Sequence, residues 1–175
     1  MLLTLDSCVV FAAVKREELH DLASIDGLFS LATSGRFRIQ LTEAFNRDMS
    51  RKSGADELTA ERDAWLADSP VLPTPAGGVS RIGVSLLDSN DMLCDKDTAV
   101  LNDKLVELLP PKGADSNPSK AYSDIDHLLA HAFSGADVFV TVDERTILNK
   151  QQELWGLGLR VLRPSEALRW ILGSR

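Results

Sequence analysis

Apolar positions in this chain follow two rhythms. Short, β-rich apolar runs at residues 2–6, 37–41 and 138–142 read as buried strands, with a last short one at 160–163. Between them the apolar spacing turns helical. Residues 15–33 predict a helix with Leu19, Leu22, Ala23, Leu28 and Leu31 mostly on one side, ended by Gly35. Thr42 is a good N-cap for a helix running to about Lys52. Residues 56–68 form an exposed helix with Leu58, Trp65 and Leu66 as its apolar contacts, and 97–109 form another, stopped by Pro110-Pro111. Ser123 caps a helix to Phe133, Gly135-Ala136 turns the chain, 144–155 is helical up to Gly156 and Gly158, and Pro164 opens a terminal helix ending near Leu172. The β-α-β-α order at both ends implies parallel pairing with right-handed crossovers. The expected fold is α/β, a three-layer α/β/α sandwich around a central parallel sheet.

The middle breaks this rhythm. Ser53-Gly54, a Pro/Gly loop over 70–78, an alternating stretch at 81–87 that suits an edge strand, and a polar loop over 112–122 set residues 53–119 apart. We expect one domain over 1–175 with an insertion at about 53–119. The insertion should pack on one side of the sheet as helices plus one strand, outside the central sheet.

Charge sharpens that division. The chain carries −7 overall, but residues 53–120 hold 12 acids against 6 bases, while the remainder holds 14 acids against 13 bases. If four of those 14 acids bind metal, the rest of that surface is about +3, which permits an RNA-binding face. No apolar run is long enough to span a bilayer, and residues 1–14 lack the basic start of a signal peptide, so the expectation is a cytoplasmic protein with no membrane partner. Cys8 and Cys94 have no metal-ligand spacing and imply no required disulfide; Cys8 reads as a small core residue.

Chemistry enters with four distant acids. Asp6 ends the first apolar run, Asp48 follows the second, Asp124 opens the apolar-periodic run 124–133, and Asp143 ends the run 138–142. Acids at the carboxyl ends of parallel strands fall in the crevice where such folds bind ligands. A carboxylate cluster that cannot neutralise itself needs protons or a hard cation. His127 and His131, four apart on one helix face, could bind zinc, but no Glu or Cys completes a set; the favoured reading is a pair of partly buried or surface histidines. His127, one turn beyond Asp124, stays within reach of a substrate. Trp65, Trp155 and Trp170 read as packing residues.

The string SDIDHLLAHAFSGADVFVTVDE at 123–144 resembles the second half of a PIN domain, the small α/β nuclease family that includes many bacterial toxins of toxin–antitoxin pairs. The likeness rests on an Asp opening an apolar helix, then Gly135-Ala136-Asp137, then a strand ending Thr141-Val142-Asp143. Leu5-Asp6-Ser7-Cys8-Val9-Val10 resembles the family's opening Leu-Asp-Thr-Asn-Val, and 157–168 also fits. The resemblance covers about 1–52 and 120–172. It implies a metal site of Asp6, Asp48, Asp124 and Asp143. Counting from the Thr42 that ends strand two selects Asp48, with Glu43, in the first helical turn, as the alternative. The family's spacing to the glycine selects Asp124, with Asp126 kept beside it; Ser123-x-x-Asp126 also has the form of a capping box. Thr141 and Glu144 complete the candidates. Cys8 stands where the family has Asn, which puts a polar contact beside Asp6 in doubt.

The resemblance implies a Mg²⁺- or Mn²⁺-dependent endoribonuclease, since all-carboxylate coordination selects hard cations over zinc. Arg47, Arg51, Lys52, Lys120 and Arg145 would hold the RNA backbone, single-stranded or structured. An antitoxin protein and a second copy of the chain are further partners it leaves open. The alternative is an eroded PIN-like binding module acting through a protein partner. A small-molecule enzyme is disfavoured because no Gly-rich phosphate loop follows the first strand, and a haloacid-dehalogenase-type phosphatase because Asp-x-Asp is missing there.

Overall fold

The computed structural model describes residues 1–16, 21–50, 56–80, 95–111, 113 and 117–173. Among these, β1 (Leu2–Leu5), β2 (Arg38–Gln40), β3 (Val138–Val140) and β4 (Val161–Leu162) form one all-parallel sheet in the order β2-β1-β3-β4. The registers pair Leu3 with Ile39 and with Val138, and Val140 with Leu162. Side-chain alternation then sorts the core. Leu3, Leu5, Ile39, Val138, Val140 and Leu162 face one way, against α1 (Ser7–Lys15), α2 (Leu22–Thr33) and α9 (Pro164–Gly173). Phe139 and Val161 face the other way, against α5 (Lys96–Leu108), α7 (Ser123–Ser134) and α8 (Gln151–Gly156). The three-layer α/β/α arrangement is present. Helices α2 and α9 approach closely at Gly27, where a Cβ would stand 3.1 Å from Leu168. Among the described residues no helix is long and apolar enough to cross a membrane.

Several local expectations need correction. The helix expected over 15–33 is α2, from Leu22; before it stands an unexpected helix, α1, which starts directly after β1 and is ended by Arg16 in the left-handed region (φ 52°). The helix expected over 144–155 starts later, as a 3₁₀ turn at Leu148–Lys150 leading into α8. The polar loop over 112–122 contains α6 (Pro118–Ala121). Ser123 does not cap α7: Tyr122 holds the cap position, and the Ser123 hydroxyl is used elsewhere. Gly35 (φ 76°) does follow α2, as expected.

The middle segment does not stay on one side. Helix α4 (Asp56–Asp68) packs on α1, with Trp65 edge-on to Phe29 at 4.8 Å between ring centres. Helix α5 packs on α7, beneath the opposite face. After α4, residues 71–76 run along the β2 edge, where Val71 bridges Ile39 and Ala76 bridges Thr42, both in parallel. Each layer had an apolar helix face left to cover, so the segment divides between them. The edge strand expected at 81–87 lies outside the described residues.

Both histidines of α7 are fully buried, not at the surface. His131 Nδ1 meets Thr4 Oγ1 at 3.0 Å, and Gln40 donates to Thr4 and Ser134, so the polar groups beneath the sheet satisfy one another. Burial pushes the His131 pKa down to about 4, so it packs as a neutral ring.

Candidate active site

Parallel strands put all their carboxyl ends on one edge, and the chain leaves that edge through Asp6, Thr42 and Thr141 in turn. Asp6 is the residue between β1 and α1. Asp143 follows β3 by three residues. Asp48 comes from α3 (Glu43–Ser50), and Asp124 from the first turn of α7. All four line one cleft of about 700 Å³, together with Ser7, Cys8, Phe11, Asn117, Lys120 and Val142. The N-termini of α1 and α7 open onto this cleft, and their positive ends favour negative charge there.

The acids are not equivalent. Asp6 is buried; its Oδ2 accepts from Thr141 Oγ1 at 2.5 Å and from Cys8 Sγ at 3.0 Å. Burial and the Asp6 charge push the Cys8 thiol well above its ordinary value, so it stays a proton donor. The polar contact that the departure at Cys8 put in doubt is therefore kept, by a thiol. Asp143 is anchored by the backbone N–H groups of Arg145 and Thr146, at 2.9 and 3.0 Å to Oδ1.

Asp48 is held on both oxygens. Ser123 donates to Oδ1 at 2.6 Å, Ser7 donates to Oδ2 at 2.9 Å, and His127 Nε2 stands 3.1 Å from Oδ2. Burial alone would raise its pKa, yet the His127 bond and charge, with the two hydroxyls, bring it down to about 2. Burial likewise works against a charged His127, but the bond to Asp48 and the charges of Asp6, Asp48 and Asp124 raise its pKa. Its other nitrogen, Nδ1, meets Thr42 Oγ1 at 2.6 Å. The buried His127 and the partly exposed Asp48 thus form an ion pair in the wall of the cleft. Thr42 spends its hydroxyl on His127.

Asp124 is the opposite case. Among the described residues it has no hydrogen-bond or ion-pair partner. Burial first, then the charges of Asp6, Asp143 and Asp48, push its pKa up to about 6, against a weaker pull from His127. A carboxylate left without a donor among three others is the group that calls for a cation.

The remaining candidates lie elsewhere. Asp126 is buried and bonded to Arg47 at 2.7 Å; neither lines the cleft, so Arg47 is not placed to hold a nucleic-acid backbone and Asp126 is no capping-box residue. Glu43 is buried in the first turn of α3 and accepts from Asn46 at 3.1 Å. Glu144 pairs with Arg163 at 2.5 Å, exposed and outside the cleft lining. Arg51 and Lys52 lie outside the described residues. Lys120 lines the cleft itself, and Arg145 lines an adjoining groove.

Sequence reasoning missed the cradle of Asp48: Ser7, Ser123 and His127. The signal that could have found it was spacing, since His127 lies three residues after Asp124 and four after Ser123 and so shares their helix face.

The cleft's donors are hard carboxylate oxygens, which suit Mg²⁺ or Mn²⁺; both His127 nitrogens and the Cys8 sulfur are already occupied by protein contacts. Among the described residues no three His, Cys, Asp or Glu side chains converge into a ready-made ligand set. The four acids surround a shared space, with Asp6, Asp124 and Asp143 the ones best able to hold an ion. Comparison with protein-family models and with curated proteins gives no match to this chain.

Proposed function

We propose that this chain is a PIN-like ribonuclease that uses Mg²⁺ or Mn²⁺ to hydrolyse phosphodiester bonds in RNA. The observation that carries the reading is Asp124, without a hydrogen-bond or ion-pair partner among the described residues, in a cleft shared with Asp6, Asp48 and Asp143. When bound there, the cation would activate water and stabilise charge developing on the scissile phosphate. Asp6, Asp124 and Asp143 would hold it. Thr141 and Cys8 fix the Asp6 carboxylate, and the Asp143 side chain is fixed by two backbone N–H groups. The His127–Asp48 pair sets the cleft wall and leaves less negative charge uncompensated. Lys120 supplies a cation to a phosphate entering beside Asp124.

A second reading, a PIN-like module with an eroded site that acts by binding a protein, draws on one observation. Asp48 already has both oxygens satisfied by the protein, so one of the four acids is engaged before any ion arrives.

One pair of measurements separates them. Under the nuclease reading, millimolar Mn²⁺ raises the melting temperature of the wild type, by about 2.7 kcal/mol of stabilisation at 100 times the dissociation constant. Asp6→Asn folds, loses that shift, and loses Mn²⁺-dependent cleavage of a labelled single-stranded RNA pool. An unmoved melting temperature and no cleavage by the wild type would favour the eroded module.

A further inference from the structure

Beside the acidic cleft lies a second groove of about 630 Å³, within the ~300–1,000 Å³ typical of small-ligand sites. The two share Asn117, Lys120 and Asp124, so they form one continuous channel with the acids at one end. The groove's floor is apolar: Leu109 from the end of α5 and Ile125 from α7 are both buried beneath it. Its rim is polar and basic, with Lys120, Arg145 and Asn149 exposed. Among the described residues neither Lys120 nor Arg145 has a carboxylate partner, and the Asn149 side chain makes no hydrogen bond. In a chain of net charge −7, two uncommitted cations flank a cluster of acids.

Apolar floor, amide edge and flanking cations match one chemistry. An unpaired nucleobase presents a flat apolar face, hydrogen-bonding edges, and phosphates on either side. Leu109 and Asn117 belong to the middle segment that interrupts the sheet pattern, and Lys120 follows it directly. We infer that this segment, through α5 and α6, builds the wall of a subsite for the unpaired nucleotide next to the scissile phosphate, with Lys120 and Arg145 on its phosphates and Asn149 at the base edge. This inference rests on the ribonuclease reading of the acidic cleft. The segment is then a substrate-positioning element, and base preference resides in it.

The test uses the full chain. In an Asp124→Asn background, where cleavage is expected to be lost, anisotropy of a labelled single-stranded RNA reads binding alone. Adding Lys120→Gln and Arg145→Gln should weaken binding by roughly tenfold or more and reduce the salt slope by about 1.4, two contacts at ~0.7 each on single strands. The same two substitutions in the wild-type background should leave Mn²⁺ stabilisation in place, because they remove no carboxylate. Asn149→Ala should change which base stands beside the cut, mapped from product ends. Unchanged affinity, slope and cut pattern in a protein that still cleaves RNA would overturn the subsite and leave the nuclease reading standing. No RNA binding, no cleavage and no Mn²⁺ stabilisation of the wild type would overturn both.

Discussion

Asp124 gives the most direct physical test of the cleft, and it needs no substrate. Replace it by Asn and measure stability in chelator. In the folded protein its pKa is about 6, raised from 3.8 by burial and by Asp6, Asp143 and Asp48. A raised acid penalises the folded state once ionised. Below pH 3.8 both states hold the proton and the penalty is absent. Between 3.8 and about 6 the unfolded chain has lost its proton and the folded chain has not, so stability falls as pH rises. Above about 6 both are ionised and the penalty is complete. About two units at 1.36 kcal/mol each is ~3 kcal/mol; the carboxylate faces the cleft and is partly solvated, so about 1.5–3 kcal/mol is the expected range. Asp124→Asn should therefore raise the metal-free melting temperature at pH 7.5 by about 3–12 °C for a chain of this size. The gain should shrink towards zero at pH 4, and Mn²⁺ should stabilise the variant much less than the wild type. Differential scanning fluorimetry at the two pH values, with and without chelator, reads all of this. A variant no more stable than wild type at pH 7.5, or equally shifted at both pH values, would show that the four charges do not repel one another there.

The ion pairs give two further outcomes. Arg47→Met should cost about 3–5 kcal/mol because it removes the ion-pair partner 2.7 Å from the buried Asp126 carboxylate, and the double variant Arg47→Met/Asp126→Leu should recover a large part of that; additive losses in denaturant titrations would rule out the pair. Asp48, held down to about 2, contributes stability that is present above pH 3.8 and lost as pH falls towards 2, on the order of 2 kcal/mol. His127→Gln should flatten that acid limb of the stability–pH curve, and an unchanged limb would separate Asp48 from His127.

The chain's pattern alone determined the sheet, because short apolar runs bounded by turn residues leave few alternatives. It also placed Asp6 and Asp143, since a residue that ends a parallel strand has only one edge to occupy. Helix boundaries were less legible. The end of α1 is made by Arg16, a left-handed residue, and α8 follows a 3₁₀ turn, and neither is a matter of periodicity. The middle segment looked like a one-sided insertion because its composition differs; only packing showed that α4 and α5 cover opposite layers. The spacing ranked Asp124 before Asp126, and the tertiary structure gave the two their different surroundings. Two residues apart on a helix point about 200° away from each other, so one faces the cleft and the other meets Arg47. It alone showed His127 bound to Asp48, 79 positions away in the chain. Strand ends can be read locally, whereas the charge state of a carboxylate depends on neighbours that folding brings from four separate elements.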